Sequence, residues 1–353
     1  MRKNILIIGT GTIGEPLIGL LADYKKKLEL DIYFHKRTPL IDEIAKVDSL
    51  IARGANLVVD KDRVEDFQKL GHEPVLVYEA ALNLCDVIID CTPAGNAAKE
   101  SHYLPIKNKK KTFIAQGSEK GFGMPYAYGI NDSALQQKKP QFIQVVSCNT
   151  HNICSILKSL SPNLDNIVES DFVCIRRAND ISQTTSFIPS PEIGAHNSSQ
   201  FGTHHAQDAA GVLNTMHKHV LMFSSAMKVN SQYMHSIRFS LSVKGHMSKE
   251  AVTNRFKENP FVALTQKKMA NKVFSFGRDH GYYGRIFNQT VISVPSLHTI
   301  SVANGCTKIT GFCFTPQDGN SLLSSVAAAL HAIYGKKYQE YMNIFDEYLF
   351  KTV

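Results

Sequence analysis

Apolar and polar residues follow two different periods along the first half of the chain, and these periods predict strands and helices in alternation. Short apolar runs such as Asn4–Ile8 are typical of buried strands, whereas the apolar residues between Ile13 and Tyr24 recur at helical spacing. A second helix is expected from about residue 40 to Gly54. Further strands are expected at Leu28–Phe34, Leu57–Val59, Val75–Tyr78, Val87–Asp90, Phe113–Gln116 and Phe142–Val146. This alternation predicts right-handed crossovers and a doubly wound, mostly parallel sheet.

The pattern changes after about residue 165, where strand-like runs follow one another with few helices between them. These runs are Phe172–Arg177, Ile237–Val243, Val291–Val294, Thr299–Val302 and Lys308–Phe314. The polar stretch Asn179–Ser199 predicts a long loop, and long ordered loops are often functional. Helical spacing returns in Ser321–Tyr334 and Lys336–Lys351.

These patterns together predict the α/β fold class, with an N-terminal doubly wound sheet and an inserted α+β domain whose sheet is mainly antiparallel. Residues 1–147 and 316–353 are assigned to the first domain and residues 148–315 to the inserted domain. The Ala/Leu-rich segment Ser321–Tyr334 is placed with the first domain because it can cover the apolar face of a parallel sheet.

Composition narrows the class of protein. The chain has 353 residues, a length typical of two domains, and 43% hydrophobic residues, which excludes general disorder. No apolar run approaches the roughly 20 residues of a membrane span, and we expect no export signal at the N-terminus. The seven cysteines form no C-x-x-C pair, so we expect reduced thiols in a cytoplasmic protein, without a disulfide framework.

The charge balance favours small anionic substrates over nucleic acid. The formal net charge is +8, and a positive cleft raises the local concentration of anions. The lysine clusters at Lys25–Lys27, Lys107–Lys111 and Lys138–Lys139 have no aromatic residues interleaved with them, so no nucleic-acid partner is expected.

A glycine-rich turn follows the first predicted strand. Gly9, Gly11 and Gly14 match the G-x-G-x-x-G pattern between a strand and a helix, which is the context that a Rossmann-type dinucleotide site requires. Gly9 allows a tight turn, Gly11 lets a pyrophosphate approach the backbone, and the helix N-terminus favours its negative charge. The alternative is a glycine-rich turn without a ligand.

The end of the second predicted strand bears on the choice of cofactor. An acidic residue there would bind the ribose 2′-hydroxyl of NAD, but the chain has Lys36 and Arg37. Two cations favour a 2′-phosphate, so we expect NADP as the preferred cofactor and NAD as the second. The alternative is that both are ordinary exposed loop charges.

Cys148 lies where a buried strand meets a helix. The dipole of a helix favours a thiolate at its N-terminus, so Cys148 is the candidate nucleophile. Other cysteines such as Cys154 and Cys174 lie inside apolar patterns, where cysteine usually packs as a small hydrophobic residue.

Eight short motifs then occur in an order that resembles the archaeal-type (type II) glyceraldehyde-3-phosphate dehydrogenases. They are Gly11–Gly14, Asp90–Pro93, Gln116–Lys120, Ser147–Thr150, Arg176–Ala178, His204–Asp208, Met234–His235 and Gln317–Asp318. The resemblance runs through nearly the whole chain. Its specific part is Ser-Cys-Asn-Thr followed by Arg-Arg-Ala and His-His-Ala.

The resemblance implies oxidation of D-glyceraldehyde 3-phosphate with inorganic phosphate to 1,3-bisphosphoglycerate, a step of glycolysis and gluconeogenesis, by a homotetramer. It implies that Cys148 forms a thioester and that His235 is the catalytic base. The substrate phosphates would contact Ser147, Asn149, Thr150, Arg176, His204 and His205. The cofactor would contact Thr12, Ile13, Thr92, Gly117, Arg177 and Gln317, besides the glycine loop. The two histidines have no third ligand at metal-site spacing, so no metal is expected.

Four positions depart from the family pattern, namely His151, Asn152, Gln232 and Pro316. They leave open a related thioester-forming enzyme, such as a semialdehyde dehydrogenase or acyl-phosphate reductase. A catalytically silent nucleotide-binding protein is the alternative from another class.

Overall fold

The computed structural model describes residues 2–117, 119–179, 187–316 and 318–353. These residues form two compact units. The first unit contains the residues up to Tyr126, Leu135–Val145 and Leu322–Asn343. The second contains Ala127–Ala134, Val146–Ser321 and Ile344–Val353. The domain bounds expected from the sequence, 148 and 315, stay a prediction.

The first unit is built on a parallel sheet of eight strands. The strands are β1 (Lys3–Ile8), β2 (Leu30–His35), β3 (Asn56–Val59), β4 (Leu76–Val77), β5 (Val87–Asp90), β6 (Thr112–Gln116), β7 (Met124–Tyr126) and β8 (Phe142–Val145). Their order is β4-β3-β2-β1-β5-β6-β8-β7, and every pairing is parallel. The chain builds outward from β1 in one direction and then from β5 in the other. This confirms the predicted doubly wound α/β sheet.

Helices join these strands because the apolar residues between the strands recur at helical spacing. They are α1 (Gly14–Tyr24), α2 (Ile44–Ala52), α3 (Val64–Lys69), α4 (Tyr78–Leu84), α5 (Gly95–Ala98) and α6 (Asp132–Lys138). In α1 the buried face includes Leu17, Leu20 and Leu21, which pack under the sheet strands as the sequence predicts. The strand predicted at Val75–Tyr78 is shorter, because Tyr78 already begins α4.

The second unit is built on a mixed sheet of eight strands. They are β9 (Ile167–Arg176), β10 (Glu192–Ile193), β11 (Met222–Lys228), β12 (His235–Lys244), β13 (Val262–Thr265), β14 (Thr290–Ser293), β15 (His298–Val302) and β16 (Cys306–Thr315). The order is β10-β11-β9-β12-β16-β14-β13, and β15 pairs with β16. Only β11–β9 and β13–β14 pair in parallel among these described strands, so the sheet is mainly antiparallel, as predicted.

The remaining helices are α7 (Cys148–Leu160), α8 (His204–Asn214), α9 (Lys249–Glu258), α10 (Ala270–His280), α11 (Gly319–Tyr334) and α12 (Tyr338–Met342). The prediction of few helices between the later strands is wrong, because α8, α9 and α10 all lie there. The apolar period of α9 and α10 is weak in the sequence. The buried residues of α9 are Val252 and Phe256, and those of α10 are Val273 and Gly277, so each helix buries only a narrow face.

The C-terminal helices contribute to the first unit over Leu322–Asn343, whereas Ile344–Val353 belongs to the second unit. Ser325 in α11 accepts a hydrogen bond of 2.7 Å from Nε2 of Gln116, the last residue of β6. The long apolar run of α11, Val326–Leu330, is buried. None of the helices in the described ranges has the length and hydropathy to cross a membrane.

Candidate active site

The glycine turn after β1 has the geometry that a dinucleotide pyrophosphate requires. Gly9 has a φ of 91°, a conformation that glycine adopts at little cost. A Cβ at Gly14 would lie 2.0 Å from the Gly9 carbonyl oxygen, so only glycine allows α1 to begin this close to the turn. At Gly11, by contrast, no atom lies within 4 Å of where a Cβ would be. The geometry at Gly9 and Gly11 fits the tight turn and the open approach that the sequence predicts, and close packing at Gly14 is a further feature that the structure adds.

A cavity of about 490 Å³ lies at the carboxyl ends of β1, β2, β3 and β5, the edge where open α/β sheets bind ligands. It brings together four of the predicted cofactor residues, Gly9, Lys36, Arg37 and Thr92. Gly117, with a φ of 64°, follows β6 at the same edge. Thr12 and Ile13 directly precede α1.

Lys36 and Arg37 differ in their surroundings, although the sequence treats them alike. The Lys36 ammonium is paired with the Glu43 carboxylate and its side chain is only 9% exposed. Burial raises the pKa of Glu43, but hydrogen bonds from Lys36 and Lys46 outweigh burial and leave that pKa below its usual value. Arg37 is exposed and lines the same cavity. Arg37 is therefore the cation that is better placed to meet a 2′-phosphate.

The cavity also contains acidic and aromatic residues that the sequence analysis did not assign to the cofactor site. Asp60 directly follows β3, and its carboxylate accepts a hydrogen bond of 3.1 Å from Nε2 of His35. Asp90 is buried at the end of β5, where its carboxylate accepts hydrogen bonds from the Thr92 backbone, the Thr92 hydroxyl and the Tyr103 hydroxyl. Both carboxylates stand at carboxyl ends of predicted strands, and that position was the available signal.

In the second unit, Cys148 is the first residue of α7 and is half-buried. Ser147 is the N-cap: its Oγ accepts a hydrogen bond of 3.4 Å from the Thr150 N–H and lies 2.9 Å from the Thr150 hydroxyl oxygen. A thirteen-residue helix thus begins at the thiol, and its dipole favours the thiolate form. The predicted strand-to-helix position of the nucleophile matches this geometry.

Polar side chains fix the first turn of α7 from β16 and α11. The Thr315 hydroxyl donates to Oδ1 of Asn149 at 3.2 Å and accepts from Nδ2 of Asn152 at 2.9 Å. Asn320, at the start of α11, donates from Nδ2 to the carbonyl oxygen of Cys148 at 3.1 Å. Thr315, Asn149, Asn152 and Asn320 are all buried, so these hydrogen bonds hold the backbone around Cys148 in a low-dielectric interior.

Two departures from the family pattern are thereby explained as internal packing. Asn152 belongs to the network just described. His151 is fully buried, and its Nδ1 lies 2.9 Å from the Ser147 carbonyl oxygen. Burial lowers the pKa of His151 to about 4, so the ring is neutral at neutral pH. Neither residue lines the described cavities of the second unit.

His235 begins β12 directly opposite Thr315 of β16. Its Nδ1 accepts a hydrogen bond of 2.9 Å from the backbone N–H of Arg177. This contact assigns the proton of the neutral ring to Nε2. Burial, followed by the nearby charges of Arg177 and Arg176, holds the pKa of His235 well below its usual value. A neutral ring with its proton on Nε2 is a hydrogen-bond donor at that atom.

Three of the predicted phosphate residues line one polar cavity of about 540 Å³. Arg176 comes from the end of β9, and His204 and His205 begin α8. The cavity is also lined by Asn197, Ser198 and Ser199, from the loop that the sequence analysis singled out, and by Thr203, which the sequence analysis missed. The eleven-residue helix α8 points its N-terminus at this cavity, which favours anions. Ser199 ends the loop predicted over Asn179–Ser199; residues 180–186 lie outside the described residues, and the described part contains the short strand β10, which the prediction did not include.

His205 is held neutral in the same cavity. Its ring stacks on that of His204 at a centroid distance of 4.0 Å, and its Nδ1 lies 3.1 Å from the Thr203 hydroxyl oxygen. Burial, then His204 and Arg176, lowers the pKa of His205 to about 3. Within the described residues, no group of three or more His, Cys, Asp or Glu side chains is arranged to hold a metal.

The other predicted site residues are placed as follows. Thr150 is fully buried in the first turn of α7, and Arg177 is buried at the end of β9, where it lines a separate cavity of about 250 Å³. Pro316 lines that cavity too. Gln317 lies outside the described residues.

The parallel sheet with its glycine turn and the thiol at the start of α7 are the features from which the sequence analysis predicts a nicotinamide-dependent oxidoreductase. Comparison with known proteins narrows the class. The chain is 26% identical to the glyceraldehyde-3-phosphate dehydrogenase of Sulfolobus acidocaldarius over 309 residues, which cover 85% of this chain and 84% of that protein. It is 27% identical to the enzyme of the same name from Pyrobaculum islandicum, over 78% of this chain and 77% of that protein. It is 26% identical to the enzyme of the same name from Methanothermus fervidus, over 74% of this chain and 73% of that protein.

No family model matches the chain. The similarity to the archaeal enzymes nevertheless extends over both units. The predicted resemblance is thereby confirmed: the chain is similar to archaeal glyceraldehyde-3-phosphate dehydrogenases at 26–27% identity over most of its length.

We expect Thr315→Val to lower the reactivity of Cys148 and the stability of the protein. Valine keeps the shape of threonine but leaves Asn149 and Asn152 without their buried hydroxyl partner, at a cost of about 1–3 kcal/mol in the free energy of unfolding. Denaturant titration measures this cost. Iodoacetamide alkylation followed by mass spectrometry of each thiol measures the loss of Cys148 reactivity.

The matched control is Thr315→Ser, which keeps the hydroxyl and should retain both properties. In the native protein Cys148 should react fastest, because burial raises the pKa of the Cys85, Cys154 and Cys313 thiols to about 12. Equal Cys148 alkylation rates in the valine and serine variants would contradict the role assigned to the Thr315 hydroxyl.

Proposed function

We propose that the chain is a phosphorylating glyceraldehyde-3-phosphate dehydrogenase that uses an NAD(P) cofactor. One observation carries the proposal. The second unit contains both a thiol at the N-terminus of α7, where the thiolate is favoured, and a cavity suited to anions at the N-terminus of α8. Similarity to dehydrogenases of that name over most of the chain supports the same reaction. We also propose that the enzyme is a cytoplasmic homotetramer.

The first unit fits a dinucleotide. Its open approach at Gly11 and its tight packing at Gly14 form a cradle at the N-terminus of α1, where a pyrophosphate would be held by backbone N–H groups. Gly9, Thr12, Ile13, Thr92 and Gly117 would hold this cofactor. Once bound, the nicotinamide supplies the acceptor for the hydride that the aldehyde carbon gives up.

Cys148 carries the covalent step. Its thiol gives its proton to solvent, and the thiolate attacks the aldehyde carbon, so that a carbon–sulfur bond forms and negative charge develops on the former carbonyl oxygen. Loss of hydride from this carbon leaves a thioester on Cys148. A phosphate oxygen then attacks the thioester carbon, the carbon–sulfur bond breaks, and an acyl phosphate and the thiolate are released.

His235 acts in this scheme as a donor at the substrate oxygen, not as the base implied by the resemblance. Because Nδ1 accepts from the Arg177 N–H, the ring proton is on Nε2, and Nε2 is the atom that would donate to the developing negative charge. The low pKa of His235 favours this neutral donor over an imidazolium. The alkoxide form needs no further deprotonation before hydride leaves, so the scheme balances without a protein base.

The cavity at the start of α8 would bind phosphate groups. The Arg176 guanidinium would provide paired, positively charged N–H donors. His204 and His205 would provide ring N–H donors, and the N-terminus of α8 would add backbone N–H groups. These donors suit a phosphate dianion more than the carboxylate of a semialdehyde, because they are numerous and surround the cavity.

The direct test is an assay of cofactor reduction with D-glyceraldehyde 3-phosphate at varied concentrations of inorganic phosphate. The native protein should give a phosphate-dependent rise in absorbance, and Cys148→Ser should abolish turnover, because an unactivated hydroxyl is a poor nucleophile. Retained folding and cofactor binding in Cys148→Ser provide the control. Turnover only with a carboxylate-bearing semialdehyde would replace the substrate assignment, and no turnover with either aldehyde would support a silent nucleotide-binding protein.

We expect His235→Asn to lower kcat by about 10²–10³-fold, the usual loss when one donor to a developing oxyanion is removed. The rate of Cys148 alkylation at neutral pH should stay unchanged, because the native ring is not the base for the thiol. Between pH 6 and 8 the native ring remains neutral, since its pKa lies well below 6.5. Steady-state kinetics and the pH profile of alkylation, in both proteins, make the measurement. Slower alkylation of His235→Asn at neutral pH would restore the base role.

We propose a preference for NADP that depends mainly on Arg37. Arg37→Ala should raise the KM for NADP by about tenfold to a hundredfold, the cost of a charge-assisted hydrogen bond, and barely alter the KM for NAD. Lys36→Ala is the matched variant, and its effect should be smaller because Glu43 already pairs with Lys36. Equal effects of Arg37→Ala on the two cofactors would refute this specificity.

A further inference from the structure

The first unit has a second cavity that the proposed reaction does not use. Its volume is about 430 Å³, within the usual range of small-molecule sites. The lining comes from the end of α6, the starts of β6 and β8, and the end of α11. It consists of Thr112, Gln136, Lys139, Pro140, Ile143, His331, Ala332, Gly335 and Lys336.

The topology of the sheet separates this cavity from the glycine turn. Thr112 is the first residue of β6 and Ile143 is the second residue of β8, so the cavity lies at the amino ends of parallel strands. The glycine turn, Thr92 and Gly117 follow the carboxyl ends of strands in the same sheet. The two sites therefore lie at opposite edges of one sheet.

The polar groups of the cavity are basic or neutral. Among the described lining residues, Lys139, Lys336 and His331 are basic and none is acidic. Neither lysine forms an ion pair with a residue in the described part of the chain. His331 is only 9% exposed, and burial followed by the charge of Lys139 lowers its pKa. The cavity thus gathers cationic charge without a counter-charge.

Helix dipoles account for only part of this arrangement. A lysine near the end of α6 and another near the end of α11 each interact favourably with the helix carbonyls. The interaction of each lysine with its helix end does not require apolar residues between the two lysines, yet Ile143 and Pro140 line the cavity with them. Lys139 also has a φ of 41°, where glycine is favoured, as Gly335 with a φ of 58° shows at the end of α11. A lysine is thus present at α6 despite the local backbone cost.

We propose that this cavity binds a small organic anion, with one acidic group between Lys139 and Lys336 and an apolar body against Ile143 and Pro140. His331 and Gln136 add neutral polar contacts. The acidic group is a phosphate ester or a carboxylate, since both carry a negative charge that would neutralise the two ammonium groups. The site is independent of the proposed dehydrogenase activity, because none of its residues belongs to that machinery.

The probe is 8-anilinonaphthalene-1-sulfonate, an apolar aromatic with one acidic group, added to the full chain in saturating NADP. Its fluorescence titration should show binding that the double variant Lys139→Gln/Lys336→Gln weakens by about tenfold or more, as loss of charge-assisted contacts predicts. The control is Lys26→Gln/Lys27→Gln, an exposed pair in the same unit that removes the same charge and should leave the Kd unchanged.

Competition then identifies the acidic group. Displacement by phenyl phosphate alone supports a phosphate ester, displacement by benzoate alone supports a carboxylate, and displacement by both supports an anion site of broad specificity. The same Kd in both double variants, or displacement by benzyl alcohol as effective as by either anion, would overturn the proposal. These readouts need no turnover, so they stand apart from the test of the dehydrogenase assignment.

Discussion

The site in the second unit depends on one buried hydroxyl, that of Thr315. It accepts from Asn152 and donates to Asn149, so it ties the first turn of α7 to the strand that pairs with β12. The same pairing sets His235 opposite Thr315, and Asn320 holds the carbonyl oxygen of Cys148. Thr315 thereby links the start of α7, at Cys148, to the start of β12, at His235, the residues proposed as nucleophile and donor. Hydrogen bonds in a buried, low-dielectric interior make this arrangement rigid.

Burial and nearby positive charge together keep three histidines of this unit neutral. Burial is the first cause for His151, His205 and His235, and the arginines add to it at the latter two. Neutral rings donate hydrogen bonds without attracting counter-ions of their own. In the proposed phosphate site, Arg176 would therefore supply the fixed positive charge, and the neutral histidine rings would supply directional hydrogen bonds.

The sequence was most informative where a local pattern has a single physical cause. The glycine turn, the parallel strands and the thiol at the start of α7 all follow from short-range rules of backbone geometry. The helices α9 and α10 did not follow, because a narrow buried face leaves a weak apolar period, and α8 was missed although it buries a wider face rich in alanine. The pairing of Lys36 with Glu43 and the acceptor role of His235 Nδ1 also could not be predicted, since both depend on contacts made by tertiary structure.

Burial of His151 has a consequence for the limits of folding. In an unfolded chain this ring takes up a proton near pH 6.5, whereas the folded protein keeps it neutral until about pH 4, and His205 until about pH 3. Between those values the unfolded state binds more protons than the folded state. The free energy of unfolding is therefore highest above pH 6.5 and declines as the solution is acidified. The same packing that positions the thiol makes the fold sensitive to acid.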